Sequence, residues 1–145
     1  LNFDNVINYK NDNVFKKIKE YCPEGVNVYF DNVGGIISDN VISNIAPFGR
    51  IGVCGVISQY NLTEMEKGAR VQRAVLTNQA SVEGFLVFRF EQKYPIARKR
   101  MANWLNQKKL IWKEDIVAGL ENAPKAFIGL MNGKNFGKLL IKLDD

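Results

Sequence analysis

Histidine is absent from this sequence of 145 residues, and cysteine occurs only twice, at Cys22 and Cys54. Proteins hold zinc with four ligands drawn mainly from cysteine and histidine, and two cysteines so far apart form no close-spaced ligand pair. We therefore predict that the chain binds no metal, and it contains no histidine-based catalytic triad. The isolated cysteines are more typical of reduced packing thiols than of a disulfide.

The sequence also has no long apolar run. None of its segments approaches the roughly 20 consecutive apolar residues that a membrane-spanning helix needs. Residues 1–4 lack the basic and then apolar order of a signal peptide. These absences predict a soluble, cytoplasmic protein without a membrane partner.

The net charge is +5, yet the basic residues are scattered along the chain. The densest cluster, residues 98–100, falls in a predicted helix, where a solvated helix face explains it better than a nucleic-acid surface. We expect no nucleic-acid partner. With 46% hydrophobic and 24% charged residues, the composition is that of one compact globular unit.

The chain is organised around residues 26–35, where a β-branched and aromatic run ends at Asp31 and two glycines follow at Gly34 and Gly35. This pattern is typical of a buried parallel strand whose carboxyl end opens into a ligand-binding loop. Within it, Asp31 is expected to hold the turn by accepting hydrogen bonds from backbone amides. A core strand followed by an ordinary tight turn is the alternative interpretation.

Hydrophobic periodicity and turn residues predict the remaining elements. Strands are expected at 3–9, 51–57, 82–90, 109–112 and 139–143. The predicted helices begin after a cap at residues 11–12, at Ser38 (ending at 47–49), at a capping box from Thr63 to Glu66, at Tyr94 and at Asn122. The helix from Tyr94 is expected to pack Ala97, Met101, Trp104 and Leu105 inward, and Gly133 to end the last helix.

The alternation of strands and helices predicts an α/β fold: the second half of a Rossmann-type parallel sheet with flanking helices, plus carboxyl-terminal strand and helix elements. A complete dinucleotide-binding fold carries a Gly-x-Gly-x-x-Gly turn after its first strand, and this sequence has none. We therefore expect the chain to lie partway into a larger fold. By itself it should neither catalyse a reaction nor bind a dinucleotide tightly.

Five segments together resemble a known family: residues 7–10, 29–35, 54–61, 119–122 and 133–138. In this order they resemble the carboxyl-terminal half of the zinc-independent medium-chain reductases, the family of prostaglandin reductases, leukotriene hydroxydehydrogenases and plant alkenal double-bond reductases. The resemblance implies an NADP-binding part up to about residue 110 and a segment, about 111–145, that returns to a catalytic domain. It also implies reduction of the carbon–carbon double bond of a small enone or alkenal by NADPH.

The residues implied to contact NADPH are Tyr9, Asn32, Cys54, Gly55, Val56, Ile57, Ser58, Tyr60, Phe85, Leu86, Val87 and Asn135. By resemblance, Tyr9 meets the adenosine phosphate and Asn135 lies near the pyrophosphate. Residues 54–60 pass under the nicotinamide, and 85–87 touch its other side. Three of these assignments have a structural alternative, namely an aromatic strand end at Tyr9, a buried strand at 85–87 and a turn residue at Asn135.

Tyr60 is the predicted catalytic residue. Its hydroxyl would donate a hydrogen bond to the enolate oxygen, or to the ribose hydroxyl that does so; alternatively its ring forms a wall under the nicotinamide. Where relatives have a proline-rich loop, this chain has residues 62–70, which contain no proline. The shape of the substrate pocket therefore does not carry over.

The resemblance further implies a homodimer paired through an edge strand at 84–90. Two other functions stay open. One is an NADPH:quinone reductase of the same superfamily, and the other is a non-catalytic binding or dimerisation module.

Overall fold

The computed structural model describes residues 3–143, which divide into two compact units where the sequence suggested one. The first ends at Glu91 and the second begins at Gln92. The predicted boundary near residue 110, between an NADP-binding part and a segment returning to a catalytic domain, stays a prediction. None of the helices in the described range is long and apolar enough to cross a membrane.

The first unit is built on a parallel three-stranded sheet, which confirms the predicted α/β class. Its strands, in spatial order, are β1 (Val26–Asp31), β2 (Ile45–Val53) and β3 (Ser81–Gly84). Its α-helices are α1 (Val14–Tyr21), α2 (Gly35–Ile42) and α3 (Gln72–Thr77). Buried Ile42, Ile45 and Ile51 form the centre of its core, and Val26 and Tyr29 of β1 pack against it. The prediction of a buried central strand is only partly met, because β1 lies at the edge of this sheet and Val28 and Phe30 on its other face are exposed.

The predicted end of the second helix at residues 47–49 is wrong, because α2 stops at Ile42 and these residues belong to β2. The register of β1 against β2 shifts between the pairs Val26–Ile45 and Val28–Arg50. Proline lacks the amide that a strand ladder uses, so a bulge takes Pro47 out of regular pairing. The next residue, Phe48, has φ 62° and donates its amide to the Asn78 carbonyl at 2.7 Å.

The predicted strand at 3–9 is also wrong. Residues 3–8 have no regular secondary structure, and the chain turns at Tyr9. The carbonyl of Asn8 accepts the amides of Asn11 and Asp12 instead of pairing with a strand. The helix cap is Asn13 rather than residues 11–12, since its side chain accepts the Lys16 amide at 3.0 Å.

Two further predictions in this unit fail. The capping box does not open a helix, because residues 61–70 are irregular and Ala69 donates its amide to the Asp39 carboxylate at 2.9 Å. The strand predicted at 82–90 ends at Gly84, and the range Val87–Lys93 is 3₁₀-helical on either side of a kink at Phe90. The ring of Phe85 packs edge-on against Phe30 and Phe90, a contact that local β-propensity does not anticipate.

The second unit contains α4 (Tyr94–Asn106), β4 (Glu114–Ala118), α5 (Ala123–Met131) and β5 (Lys138–Lys142), with β4 and β5 parallel. Both helices and the last strand are confirmed, and Gly133 follows α5 with φ 65°. The strand predicted at 109–112 lies instead at Glu114–Ala118. The predicted inward face of α4 (Ala97, Met101, Trp104 and Leu105) is exposed, because periodicity shows which side chains share a face but not whether that face is covered.

Candidate functional site at the carboxyl ends of β1 and β2

The Asp31 carboxylate, at the end of β1, organises the turn that follows. Its Oδ1 atom accepts hydrogen bonds from the Tyr29 hydroxyl at 2.9 Å, the Val33 amide at 3.0 Å and the Gly34 amide at 2.9 Å. The residue is 2% exposed. This confirms that Asp31 holds the turn through backbone amides.

Burial alone would raise the pKa of the Asp31 carboxyl. The hydrogen bonds from Gly34, Ser38, Val33 and Tyr29 outweigh that effect and lower its pKa below the ordinary value. Ser38, which the sequence suggested as a helix cap, instead lies buried within α2, where it helps to lower the pKa of this carboxyl. The turn is therefore held by an ionised, buried carboxylate.

Gly34 and Gly35 carry the chain from the turn into α2. Their φ angles are 72° and 59°, in the left-handed region that favours glycine. A Cβ atom on Gly34 would lie 3.0 Å from Val56 Cγ1. The glycines thus allow both the backbone conformation and the close approach of the loop after β2.

Backbone hydrogen bonds join the turn after β1 to the loop after β2. The Asp31 carbonyl accepts the Cys54 amide at 2.7 Å and the Gly55 amide at 3.2 Å. The Val33 carbonyl accepts both the amide of Ser58, at 3.0 Å, and its Oγ, at 2.6 Å. Two stretches that the sequence assigned separately to one cofactor site therefore form a single connected surface at the carboxyl ends of adjacent parallel strands.

A cavity of about 710 Å³ lies beside this surface. It is lined by Gly34 and by three of the predicted site residues, Tyr9, Ile57 and Ser58. Sequence reasoning missed the rest of the wall, which is formed by Asp12, Asn13, Val14, Phe15, Val33, Ile36, Ile37 and Asn40. Phe15 lies on α1 and is 40% exposed, and helical periodicity does not show whether such an aromatic side chain is covered.

The other predicted residues of this unit do not line this cavity. Asn32 is exposed, whereas Cys54, Gly55 and Val56 are partly buried. Tyr60 directly follows a 3₁₀ helix at Ile57–Gln59 and is 63% exposed. A side chain this exposed is free to meet a ligand, and the catalytic role of Tyr60 stays a prediction.

Phe85 follows β3 and is partly buried, and its amide donates to the Val53 carbonyl at 3.1 Å. Its ring centroid lies 5.9 Å from that of Phe30 and 5.6 Å from that of Phe90. Leu86 and Val87 are exposed, at 68% and 57%. The plain buried strand weighed as an alternative is therefore wrong here, while contact of these residues with a nicotinamide stays a prediction.

Asn135 belongs to the second unit, where its Nδ2 donates to the Gly137 carbonyl at 2.8 Å. It thus holds the turn before β5, as the structural alternative suggested. It also lines a cavity of about 540 Å³ with Asp115, Lys125 and Lys134 among other residues. Contact with a pyrophosphate stays a prediction for this residue.

Metal-binding geometry is not found in the part of the chain that the structure describes. Between residues 3 and 143, no group of three or more histidine, cysteine, aspartate or glutamate side chains is placed to hold an ion. The two cysteines are both free. The prediction that the chain binds no metal awaits measurement.

Comparisons with known proteins place the chain in a family. The family model described as zinc-binding dehydrogenase matches residues 1–103. The YfmJ protein of Bacillus subtilis is 45% identical over 148 residues, which cover all of this chain and 44% of YfmJ. The NADP(+)-dependent 2-alkenal reductase of Nicotiana tabacum is 40% identical, over 96% of this chain and 40% of that protein.

Comparison with solved structures supports the same family. CurA from Vibrio vulnificus, whose crystal structure is a complex with NADPH, matches with a TM-score of 0.89 and 36% identity over 99% of this chain and 44% of the CurA chain. The chain therefore spans less than half the length of the relatives that it matches. It belongs to the zinc-binding dehydrogenase family, and its resemblance to the zinc-independent alkenal and prostaglandin reductases is confirmed.

Proposed function

We propose that the full-length protein is an NADPH-dependent reductase of the carbon–carbon double bond of α,β-unsaturated ketones and aldehydes. One observation carries this proposal: the two predicted cofactor loops are connected by hydrogen bonds from Ser58 to the Val33 carbonyl. Both residues line a cavity, together with Tyr9 and Gly34. Ligands of open parallel sheets bind at such strand ends. The sequence likeness to a 2-alkenal reductase over nearly the whole chain supports the reaction type.

The residues present fit part of a dinucleotide. A cavity of about 710 Å³ falls within the range of roughly 300–1,000 Å³ that is usual for small-molecule sites. Its wall combines apolar side chains, such as Ile36 and Ile37, with the hydroxyls of Tyr9 and Ser58. The left-handed Gly34 has no side chain to fill that space.

In this proposal Tyr9, Gly34, Ile57 and Ser58 hold one part of NADPH, and Asn32 lies beside the adjoining part. When bound, the cofactor supplies the hydride. Negative charge then develops on the carbonyl oxygen of the substrate, and the Tyr60 hydroxyl donates a hydrogen bond that stabilises it, directly or through a ribose hydroxyl. Lys10, next to Tyr9, places positive charge near a cofactor phosphate.

The test follows NADPH oxidation by the full-length protein with a medium-chain 2-alkenal, its saturated aldehyde and a quinone as parallel substrates. Enal-dependent oxidation that gives the saturated aldehyde supports the proposal; gas chromatography against standards identifies this product, because the allylic alcohol has the same mass. Formation of the allylic alcohol would contradict it, because the carbonyl and not the double bond would have been reduced. Oxidation with the quinone alone would favour the quinone reductase, and no oxidation with any substrate would favour the binding module.

Homodimer formation is part of the same proposal, although its structural premise has changed. Residues 84–90 do not form an edge strand, since only Gly84 of this range lies in β3. β3 is nevertheless the last strand of the sheet, and all four of its residues are exposed. Light scattering of the full-length protein should give the mass of a dimer, and Val87→Lys should weaken dimer formation. If the unmodified protein and the variant are both monomers, this part of the proposal is wrong.

A further inference from the structure

Tyr29 and Asp31 are two residues apart on β1 and therefore project from the same face of the sheet. Helix α2 packs on that face, because Tyr29 lies against the core cluster to which Ile42 of this helix belongs. The Tyr29 hydroxyl donates to Asp31 Oδ1 at 2.9 Å. Neither Tyr29 nor Ser38 figures among the residues that sequence or resemblance assigned to the site.

Three donors converge on the one carboxylate oxygen that Tyr29 contacts. Besides the phenol, the amides of Val33 and Gly34 bond Oδ1 at 3.0 and 2.9 Å. The phenol restricts rotation of the Asp31 carboxylate more than the two amides would alone. It therefore also limits where the two amides can lie. Val33 and Gly34 in turn line the cavity, and Val33 anchors Ser58.

The phenol is suited to this task because it stays a donor. Burial is the largest cause that raises the pKa of Tyr29, and the neighbouring Asp31 raises it further. The hydroxyl therefore keeps its proton at neutral pH, where the Asp31 carboxyl is ionised. Tyr29 is partly buried and its ring packs against the core of the first unit. This packing holds the hydroxyl in a fixed position.

We infer that Tyr29 is a positioning residue, which fixes the Asp31 carboxylate and through it the Val33–Gly34 backbone that shapes the cofactor cavity. The link to the cofactor rests on the proposed function, whereas the control of the turn does not. The variant that isolates the hydroxyl is Tyr29→Phe, because it keeps the ring and its packing against the core. Tyr94→Phe, at the start of α4 in the second unit, is the matched control.

Two measurements on the full-length protein decide the inference. Residue-resolved hydrogen exchange at the Val33 and Gly34 amides should accelerate by about five- to ten-fold in Tyr29→Phe, as expected for the loss of one hydrogen bond in a shared network. Exchange at Ile51, in the core, should not change. The NADPH dissociation constant should rise by about three- to ten-fold while the turnover rate at saturating NADPH changes by less than about two-fold.

Each outcome has a distinct meaning. Unchanged exchange at Val33 and Gly34 would overturn the inference, and acceleration that includes Ile51 would overturn it too, since Tyr29 would then merely stabilise the fold. Faster local exchange with unchanged NADPH affinity would overturn the link to the cofactor. If the unmodified protein binds no NADPH, the proposed function fails, while the exchange measurement still decides whether Tyr29 positions the turn.

Discussion

The side-chain oxygen of Asn32 lies 2.6 Å from the point that a Cβ atom on Gly55 would occupy. The two residues follow the ends of neighbouring strands, β1 and β2. The absence of a side chain at Gly55 lets the Asn32 side-chain amide lie against the loop after β2. A methyl group there would not strain the backbone, because Gly55 lies outside the left-handed region. It would instead move the end of a flexible asparagine side chain.

The first prediction follows from this contact. Gly55→Ala should displace Asn32 and weaken NADPH binding by about three- to ten-fold, equivalent to one hydrogen bond, with little change in melting temperature. Gly52→Ala on β2 is the control, because its methyl would meet Phe85 at an ordinary 3.4 Å. Calorimetric titration of both variants is the measurement, and equal affinities would show that Asn32 does not contact the cofactor.

Tyr60→Phe tests the proposed catalytic donor. The substitution keeps the ring and removes the hydroxyl, so turnover with an enone should fall by about ten-fold to a thousand-fold, the range for one lost oxyanion donor. NADPH affinity should remain nearly unchanged. Steady-state kinetics measure both quantities, and an unaltered turnover rate would assign the role to another group and leave Tyr60 as a wall of the site.

The buried carboxylate of Asp31 should make stability depend on pH. Because its folded-state pKa lies below the ordinary 3.8, its contribution is fully present above that value and is lost as the pH falls through the folded-state pKa. Asp31→Asn should lower the free energy of unfolding by about 1.5–3 kcal/mol at neutral pH, as for hydrogen bonds to a charged group.

Urea unfolding at a series of pH values measures this effect. The difference in the free energy of unfolding between the unmodified protein and Asp31→Asn should shrink as the solution is acidified below the ordinary carboxyl pKa. Asp4→Asn, which changes an exposed residue in the irregular segment before α1, is the control. A difference that is the same at all pH values would mean that the Asp31 charge does not stabilise the turn.

Gly137 is expected to be essential for the second unit. A Cβ atom there would overlap the backbone carbonyl of Lys113, next to the start of β4. Since backbone cannot move as a side-chain end can, Gly137→Ala should destabilise the protein by about 1–3 kcal/mol. Gly129→Ala within α5, where the nearest atom is 3.8 Å away, should be neutral or stabilising. Thermal unfolding compares the two, and equal melting temperatures would contradict the argument.

Metal content is the last prediction. The full-length protein should contain no stoichiometric zinc that is bound by this chain, because the chain has no histidine and its two cysteines are isolated. Elemental analysis of the full-length protein and of a Cys22→Ser, Cys54→Ser double variant makes the test. Zinc that is lost on substitution would contradict it.

Much of the candidate site could be predicted from short patterns. The run from Val26 to Asp31 followed by Gly34–Gly35 predicted a strand, its carboxyl-terminal turn and the role of Asp31, because all three depend on neighbouring residues in the chain. The cavity wall was harder to predict. Phe15 and Asn40 come from different helices, and their meeting beside Ser58 depends on how α1 and α2 pack against the sheet.

The α/β class, the helices that begin at Val14, Tyr94 and Ala123, and the lack of histidine and of closely spaced cysteines could all be recognised without a structure. Periodicity, helix caps and composition depend on residues that are close together in the sequence, so they can be recognised in a single sequence. Other features required the tertiary structure: the bulge of β2 at Pro47 and the end of β3 at Gly84, before Phe85. Both involve partners distant in sequence, namely Asn78 for Phe48 and Phe30 for Phe85, and local propensity carries no record of such partners. The failure of the strand predicted at 3–9 is different, because there the Asn8 carbonyl accepts the nearby amides of Asn11 and Asp12.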